Sequence, residues 1–133
     1  KDQKPIYLQI AEHICDEIIR HTYPEGERLP SVREYATQVE VNVNTVARSF
    51  EWLQMNEVVV TRRGLGNFVN IGANKRGMGY YVSPGAEGQI REMRRQVFFE
   101  EQLPEIVRTM KTLGIDKQEV IKIIQDIAEN ENE

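Results

Sequence analysis

A tight turn between two short helical patterns constrains the fold of this chain more than any other sequence feature. The run Ser31-Val32-Arg33-Glu34 is a capping box, in which the serine hydroxyl and the glutamate carboxylate each pair with a main-chain N–H across the first turn of a helix. This helix is predicted to end near Glu40. Asn42 is a suitable cap for the next helix, predicted over residues 43–56. Two helices joined by three or four residues form a helix-turn-helix.

The flanking segments extend this motif into a winged domain. Upstream, residues 4–23 predict a helix with one apolar face, which carries Ile6, Ile10, Ile14 and Ile18. Downstream, residues 58–61 are β-branched, and residues 67–71 alternate polar with apolar, so both segments predict strands. Residues 62–66 between them are basic and contain two glycines. We therefore expect a β-hairpin, the wing, after the helix-turn-helix.

The rest of the chain predicts a connector followed by helices. Residues 73–88 are rich in glycine and show no regular period. Helical spacing then runs over residues 89–113, with a kink or break expected at Pro104 and an end at Gly114. Asp116 is a suitable cap for the last helix.

The predicted fold is mainly α with a small β-hairpin wing. A winged helix-turn-helix domain is expected over residues 1–72, a connector over residues 73–88 and a helical dimerisation tail of two helices over residues 89–133. The tail has more apolar surface than one helical hairpin can bury, so we expect two copies to share it in a homodimer. The residues expected at this interface are Val97, Phe98, Val107, Val120, Ile124 and Ile127.

Composition excludes several classes of protein. The chain has 133 residues, 40% hydrophobic and 29% charged, which suits about one packed domain and excludes collagen-like or wholly disordered chains. A single cysteine, Cys15, and the lack of a recognisable signal peptide predict a cytoplasmic location. No apolar run approaches the ~20 residues of a membrane-spanning helix. The net charge of −4 argues against coating nucleic acid through bulk charge and leaves room for a local basic patch.

Polar and basic residues gather on the predicted helix-turn-helix and wing. Ser31 and Arg33 lie at a helix start, where main-chain N–H groups and the helix dipole favour phosphate. The third helix presents groups suited to base edges in a major groove, namely Asn42, Asn44, Thr45, Arg48 and Ser49. Arg62 and Arg63 lead into the hairpin turn. Each residue alone is more simply an exposed surface residue, but their combination on this motif indicates contact with double-stranded DNA.

Three ordered motifs resemble the DNA-binding domain of GntR-family bacterial transcriptional regulators. They are Leu-Pro-Ser-Val-Arg-Glu at residues 29–34, Val-Asn-Val-Asn-Thr-Val-Ala-Arg at residues 41–48 and Arg-Arg-Gly-Leu-Gly-Asn-Phe-Val at residues 62–69. The second motif and the short helical tail are similar to the YtrA-type branch of this family. The resemblance covers residues 4–71 closely. It implies a homodimer that binds a palindromic operator, most often as a repressor.

The resemblance also implies a role for each matching residue. Ser31 and Arg33 would contact phosphate, and a second set would lie at or near the major groove, namely Asn42, Asn44, Thr45 and Arg48. Arg62, Arg63 and Gly66 would serve the wing, with Gly66 near the minor groove.

Three residues depart from the family's pattern. Glu40 stands where a glycine is usual in the turn, so a residue with a side chain is expected to take a positive φ there. Val43 stands where proline or arginine is usual, so one base contact is absent. Asn67 replaces a usual threonine in the wing.

Two other function classes fit the sequence less well. A winged helix-turn-helix can bind another protein instead of DNA, but Arg48, Arg62 and Arg63 would then have no reason to converge. An enzyme needs an acid, a base and a nucleophile in one place, whereas His13 and Cys15 point to different faces of one helix. We expect no catalysis, no cofactor and no metal site.

The tail is too short for a large ligand-binding domain. Only about sixty residues follow the winged domain, so a sizeable closed pocket is hard to build. A small-molecule effector could still bind in a groove at the dimer interface. Four aromatic residues could line such a groove, although they are more simply interface core: Tyr80, Tyr81, Phe98 and Phe99.

Overall fold

The computed structural model describes residues 4–63 and 78–131. The chain divides into two compact units, Lys1–Glu92 and Met93–Glu133. Within the described residues, the first unit carries the helix-turn-helix and a sheet, and the second consists of helices and their connections. None of the described helices is long and apolar enough to cross a membrane.

Three helices of the first unit share one apolar core. They are α1 (Ile6–Ile19), α2 (Val32–Val39) and α3 (Val43–Met55). The predicted apolar face of α1 is largely confirmed, because its later isoleucines are buried while Ile6 is exposed. On α3, the residues that face this core are fully buried, namely Val46, Phe50 and Leu53. Helix α3 packs against α1, α2 and β1, and a strip of its surface beside the start of α1 stays open to solvent.

Both helices of the helix-turn-helix have the predicted caps. Ser31 Oγ accepts a hydrogen bond of 3.0 Å from the Glu34 N–H, and Glu34 Oε1 accepts one of 2.9 Å from the Ser31 N–H. Asn42 Oδ1 accepts a hydrogen bond of 2.7 Å from the Asn44 N–H. Glu40 ends α2 at φ 58° and ψ 48°, which confirms the predicted positive φ. A side chain in this left-handed conformation costs about 1–2 kcal/mol.

The sheet pairs differently from the predicted hairpin. Strand β1 (Val59–Arg63) is antiparallel to β2 (Met78–Val82), with the first residue of one opposite the last residue of the other. The predicted strand over residues 67–71 lies outside the described residues. The prediction of an irregular connector over residues 73–88 is wrong in its described part, because this part contains β2 and the start of a helix.

One glycine of that segment, Gly79, has a packing cause. The stretch before α2 runs beside β2, and the Leu29 N–H donates a hydrogen bond of 2.8 Å to the Tyr80 main-chain oxygen. The Arg28 side chain crosses β2 at Gly79, where a Cβ atom would lie 2.7 Å from Arg28 Nε. Glycine at this position therefore makes room for a side chain within a strand and does not mark an irregular connector.

The two tyrosines of β2 lie on opposite faces of the sheet. Tyr80 is half-buried and packs against the core, where its ring meets Phe50 edge to face with the centroids 4.9 Å apart. Tyr35 also meets Phe50, at 6.0 Å, and burial raises the pKa of Tyr35 to about 12. β2 places both tyrosines in the sheet of the first unit, and the suggestion that Tyr80 and Tyr81 line a groove or core at a dimer interface stays a prediction.

The side chains of Glu25 and His21 contact the first turn of α4 (Ala86–Val97) and hold it in place. This helix begins three residues before the predicted one. The Glu25 carboxylate accepts hydrogen bonds from the N–H groups of Gly85, at 2.8 Å, and Glu87, at 3.1 Å. These bonds stabilise the charged form and lower the pKa of Glu25. His21 Nε2 lies 2.7 Å from Glu87 Oε2. Ile90 of α4 is also fully buried and so helps to fix the start of this helix in the first unit.

Helices of the second unit follow one another with short breaks. A π-helical turn (Phe98–Gln102) leads into α5 (Leu103–Leu113), whose first turn holds Pro104, so the helix is irregular just before this proline but is not broken there. Gly114 ends α5 at φ 69°, and Asp116 Oδ2 caps α6 (Lys117–Glu131) by accepting from the Gln118 N–H at 2.9 Å. Neither α5 nor α6 has a buried residue. These two helices therefore form no core of their own within one chain.

Candidate nucleic-acid interface

The start of α2 presents a hydroxyl and an arginine. Ser31 Oγ uses a lone pair for the cap, which leaves its hydrogen free to donate to an anion. Arg33 is exposed, and no hydrogen bond or ion pair between described residues involves it. Both predicted phosphate contacts are thus available at the positive end of a helix.

The open face of α3 lines a surface groove of about 340 Å³, here called the α3 groove. Its lining combines the start of α1 with polar residues of α3, namely Pro5, Ile6, Tyr7, Asn44, Thr45 and Arg48. Asn44 and Arg48 are exposed and Thr45 is half-buried. The structure therefore brings three of the predicted groove-contacting residues together. Asn42 is exposed at the helix start, with its side-chain oxygen engaged in the cap.

Ser49 does not face outward as the sequence suggested. It is fully buried, and its Oγ donates to the Tyr7 main-chain oxygen at 2.7 Å. The Thr45 main-chain oxygen lies within hydrogen-bond distance of the same hydroxyl, at 3.2 Å. Helix geometry turns position 49 toward α1, where a buried hydroxyl can find an acceptor.

The two wing arginines lie on opposite faces of β1, because successive strand residues alternate. Arg62 is held on the outer face, where its guanidinium lies 4.3 Å from the Tyr81 ring centroid and 3.4 Å from the Gly26 main-chain oxygen. Arg63 is exposed at the end of β1, on the same face as Thr61. Gly66 lies outside the described residues.

Two residues of this surface were missed by the sequence reasoning. Tyr7 stacks under Arg48, with the guanidinium carbon 4.0 Å from the ring centroid. Arg28 shares the outer face of β2 with Arg62, since both lie beside Gly79. Arg28 precedes the motif at residues 29–34 directly, so its neighbours in sequence were the available signal.

The residues that resembled catalytic groups are accounted for by ordinary contacts. His13 Nε2 lies 3.6 Å from Glu17 Oε2, and Cys15 is buried. No group of three or more potential metal ligands occurs among the residues that the structure describes.

Comparison with known proteins identifies the family. The model of bacterial regulatory proteins of the gntR family matches residues 6–69. An HTH-type transcriptional regulator of Bacillus subtilis, YhcF, is 33% identical over 97% of this chain and 94% of its own length. The chain belongs to the GntR family.

Other relatives extend the likeness over the tail. The HTH-type transcriptional repressor YtrA of Bacillus subtilis is 26% identical over 96% of this chain and 88% of its own length. A crystal structure described as a GntR-family regulator from Bacteroides thetaiotaomicron is 39% identical, with a TM-score of 0.73 over 96% of this chain and 99% of that one. This GntR protein is therefore a transcriptional regulator with a DNA-binding helix-turn-helix, and its family is not one of enzymes.

Proposed function

We propose that this GntR protein is a homodimeric repressor that binds a palindromic operator and acts in the cytoplasm. The observation that carries the proposal is the α3 groove, where Asn44, Thr45 and Arg48 face solvent while the other face of α3 is packed in the core. Short polar groups beside an arginine suit the donor and acceptor pattern of base edges in a major groove. The repressor YtrA, similar over nearly the whole chain, supports the direction of regulation.

The remaining contacts follow from the chemistry of the neighbouring elements. Ser31 and Arg33 bind phosphate at the start of α2. Asn42, at the start of α3, lies at or near the major groove of the DNA. Arg63, at the end of β1, binds the phosphate backbone of the DNA. Gly66 is the wing residue assigned to the minor groove. Arg62, held by Tyr81, contributes positive charge near the same backbone.

The tail supplies the dimer. Five of the six predicted interface residues are exposed apolar side chains, namely Val97, Phe98, Val107, Ile124 and Ile127, and Val120 is half-buried. Since α5 and α6 bury no residue within one chain, a second copy is the partner that would cover them. Two recognition helices related by a two-fold axis would then meet half-sites about one helical turn apart. Occupation of such a site within a promoter excludes the transcription machinery.

Selection of binding sites from a random duplex pool tests this proposal. The full chain is incubated with the pool at near-physiological salt, and bound duplexes are sequenced after several rounds. We expect an enriched site with two-fold symmetry. Lack of any enrichment by a folded dimer would contradict the proposed operator binding. The expectation of a small-molecule effector at the tail stays a prediction.

A further inference from the structure

The first turn of α1 supports the arginine that faces the α3 groove. The Arg48 guanidinium carbon lies 4.0 Å from the centroid of the Tyr7 ring, which is stacking distance. The main chain of Tyr7 is itself fixed, because the fully buried Ser49 donates its hydroxyl hydrogen to the Tyr7 carbonyl oxygen at 2.7 Å. Consecutive residues of α3 thus hold the backbone of Tyr7 and rest on its ring.

We propose that Tyr7 is a positioning residue that aims Arg48 and so sharpens the choice of one base pair in each half-site. The inference rests on the proposed function, in which Arg48 reaches base edges. In this role Tyr7 acts on the base pair through the side chain that it supports.

The shape of the guanidinium explains why a ring beneath it matters. A guanidinium is planar, and a stacked ring covers one face while the N–H donors on its edge stay free. Those edge donors make the bidentate contact to the O6 and N7 atoms of guanine. An arginine loses considerable rotamer freedom when it binds, so a side chain already held by a ring loses less.

The surroundings of Arg48 give it no other support of comparable strength. No carboxylate pairs with Arg48 among the described residues, where its guanidinium makes no hydrogen bond, ion pair or ring contact other than the stacking on Tyr7. Arg62 on the wing is supported in the same way, because its guanidinium lies 4.3 Å from the Tyr81 ring centroid. The Tyr7 ring is half-buried at the surface, so it is available for this role without being part of the central core.

Two substitutions at position 7 distinguish the contribution of the Tyr7 ring from that of its hydroxyl. Tyr7→Leu removes the ring and keeps apolar bulk, whereas Tyr7→Phe keeps the ring. Affinity is measured by fluorescence anisotropy for the selected operator and for operators with single base-pair changes. We expect Tyr7→Leu to lower discrimination about two- to fivefold at the position that Arg48 reads, a factor typical of an exposed cation–π contact. Tyr7→Phe should match the wild type.

A double-mutant cycle distinguishes positioning from a general structural role. In an Arg48→Ala background, Tyr7→Leu should have no further effect on discrimination at that position. An equal loss of affinity on every sequence, or the same loss of discrimination in both backgrounds, would overturn the inference. So would a Tyr7→Phe protein that behaves like Tyr7→Leu.

The DNA-free protein provides a readout that does not depend on the proposed function. Nuclear magnetic resonance of arginine side chains should show ring-current shifts of the Arg48 Cδ and Nε protons that disappear in Tyr7→Leu and persist in Tyr7→Phe. If these shifts are present and no operator is selected, the proposed function fails. If an operator is selected and the shifts are absent, the positioning role of Tyr7 fails.

Discussion

The hydroxyl of Ser49 donates a hydrogen bond of 2.7 Å to the main-chain oxygen of Tyr7, which joins the middle of α3 to the first turn of α1. Ser49 is fully buried, so its hydroxyl has no access to water. Such a bond is expected to stabilise the fold as well as the α3 groove beside it.

Replacement of this hydroxyl can be compared with that of another buried serine. Ser49→Ala should lower the free energy of unfolding by about 1–2 kcal/mol, because it removes a satisfied buried bond. Ser83 Oγ is also buried but has no hydrogen-bond partner among the described residues. Ser83→Ala should therefore be neutral or slightly stabilising. Urea unfolding of both proteins checks the pair, and equal destabilisation would contradict the assigned role of Ser49.

Glu40, the residue with positive φ in the turn after α2, predicts a substitution that stabilises the fold. Glu40→Gly should raise the free energy of unfolding by about 0.5–1 kcal/mol, since relief of side-chain strain exceeds the entropy cost of glycine. Gln38→Gly, placed on the exposed face of α2, is the control and should destabilise by about 0.5 kcal/mol. Thermal unfolding at one pH compares both with the wild type. A loss of stability in Glu40→Gly would count against strain at this turn.

The cap at the start of α4 predicts a dependence of stability on pH. The pKa of Glu25 is lowered from its ordinary value of 4.5, first by the hydrogen bonds from Gly85 and Glu87 and also by His21. A lowered folded-state pKa means stability that is present above pH 4.5 and lost as the pH falls through the folded value. Glu25→Gln should therefore show a weaker loss of melting temperature on acidification.

A carboxylate in the same loop is the control for this effect. Glu27→Gln removes a negative charge two residues away and leaves the cap of α4 intact. Its melting temperature should follow the wild-type pH dependence below pH 4.5. If Glu25→Gln and Glu27→Gln have the same profile as the wild type, the cap does not contribute as the geometry indicates.

The two exposed arginines that the proposed function places on DNA, Arg48 and Arg63, should differ in how their loss affects binding. Arg48→Ala should cost about 1–3 kcal/mol on the selected operator and relax preference at one position in each half-site. Arg63→Ala should weaken binding evenly across sequences and reduce the dependence of affinity on salt. Anisotropy titrations at several salt concentrations measure both effects. Arg108→Ala in the tail should change neither, and an Arg48→Ala protein with unchanged preference would contradict the assigned recognition face.

Local interactions made much of this fold predictable. The caps at Ser31, Asn42 and Asp116, and the helix end at Gly114, depend on residues within about three positions of one another, which the sequence displays directly. The positive φ of Glu40 was predicted because the family's pattern has a glycine there.

Contacts distant in sequence were not predictable in the same way. The partner of β1 is β2, and Tyr80 enters the core through its contact with Phe50, thirty positions earlier. The burial of Ser49 depends on α1 lying beside α3, because only then does the Tyr7 carbonyl accept its hydroxyl. Local pattern assigned Ser49 to the surface since a polar residue on a helix is usually exposed. The stacking of Tyr7 on Arg48 was not predictable for the same reason, because it also depends on α1 lying beside α3.

The tail gives the last prediction, because its apolar surface is open in one chain. Ile124 is 57% exposed on α6, a helix without any buried residue. In the proposed homodimer, Ile124→Glu would place a charge against apolar side chains of the second copy, so we expect dissociation to monomers and a large loss of operator affinity. Lys122→Glu changes the charge on the same helix without entering the apolar face and should remain dimeric. Sedimentation velocity measures the assembly, and circular dichroism verifies that helix content is retained. An Ile124→Glu protein that sediments as the wild-type dimer would show that α6 does not form the interface.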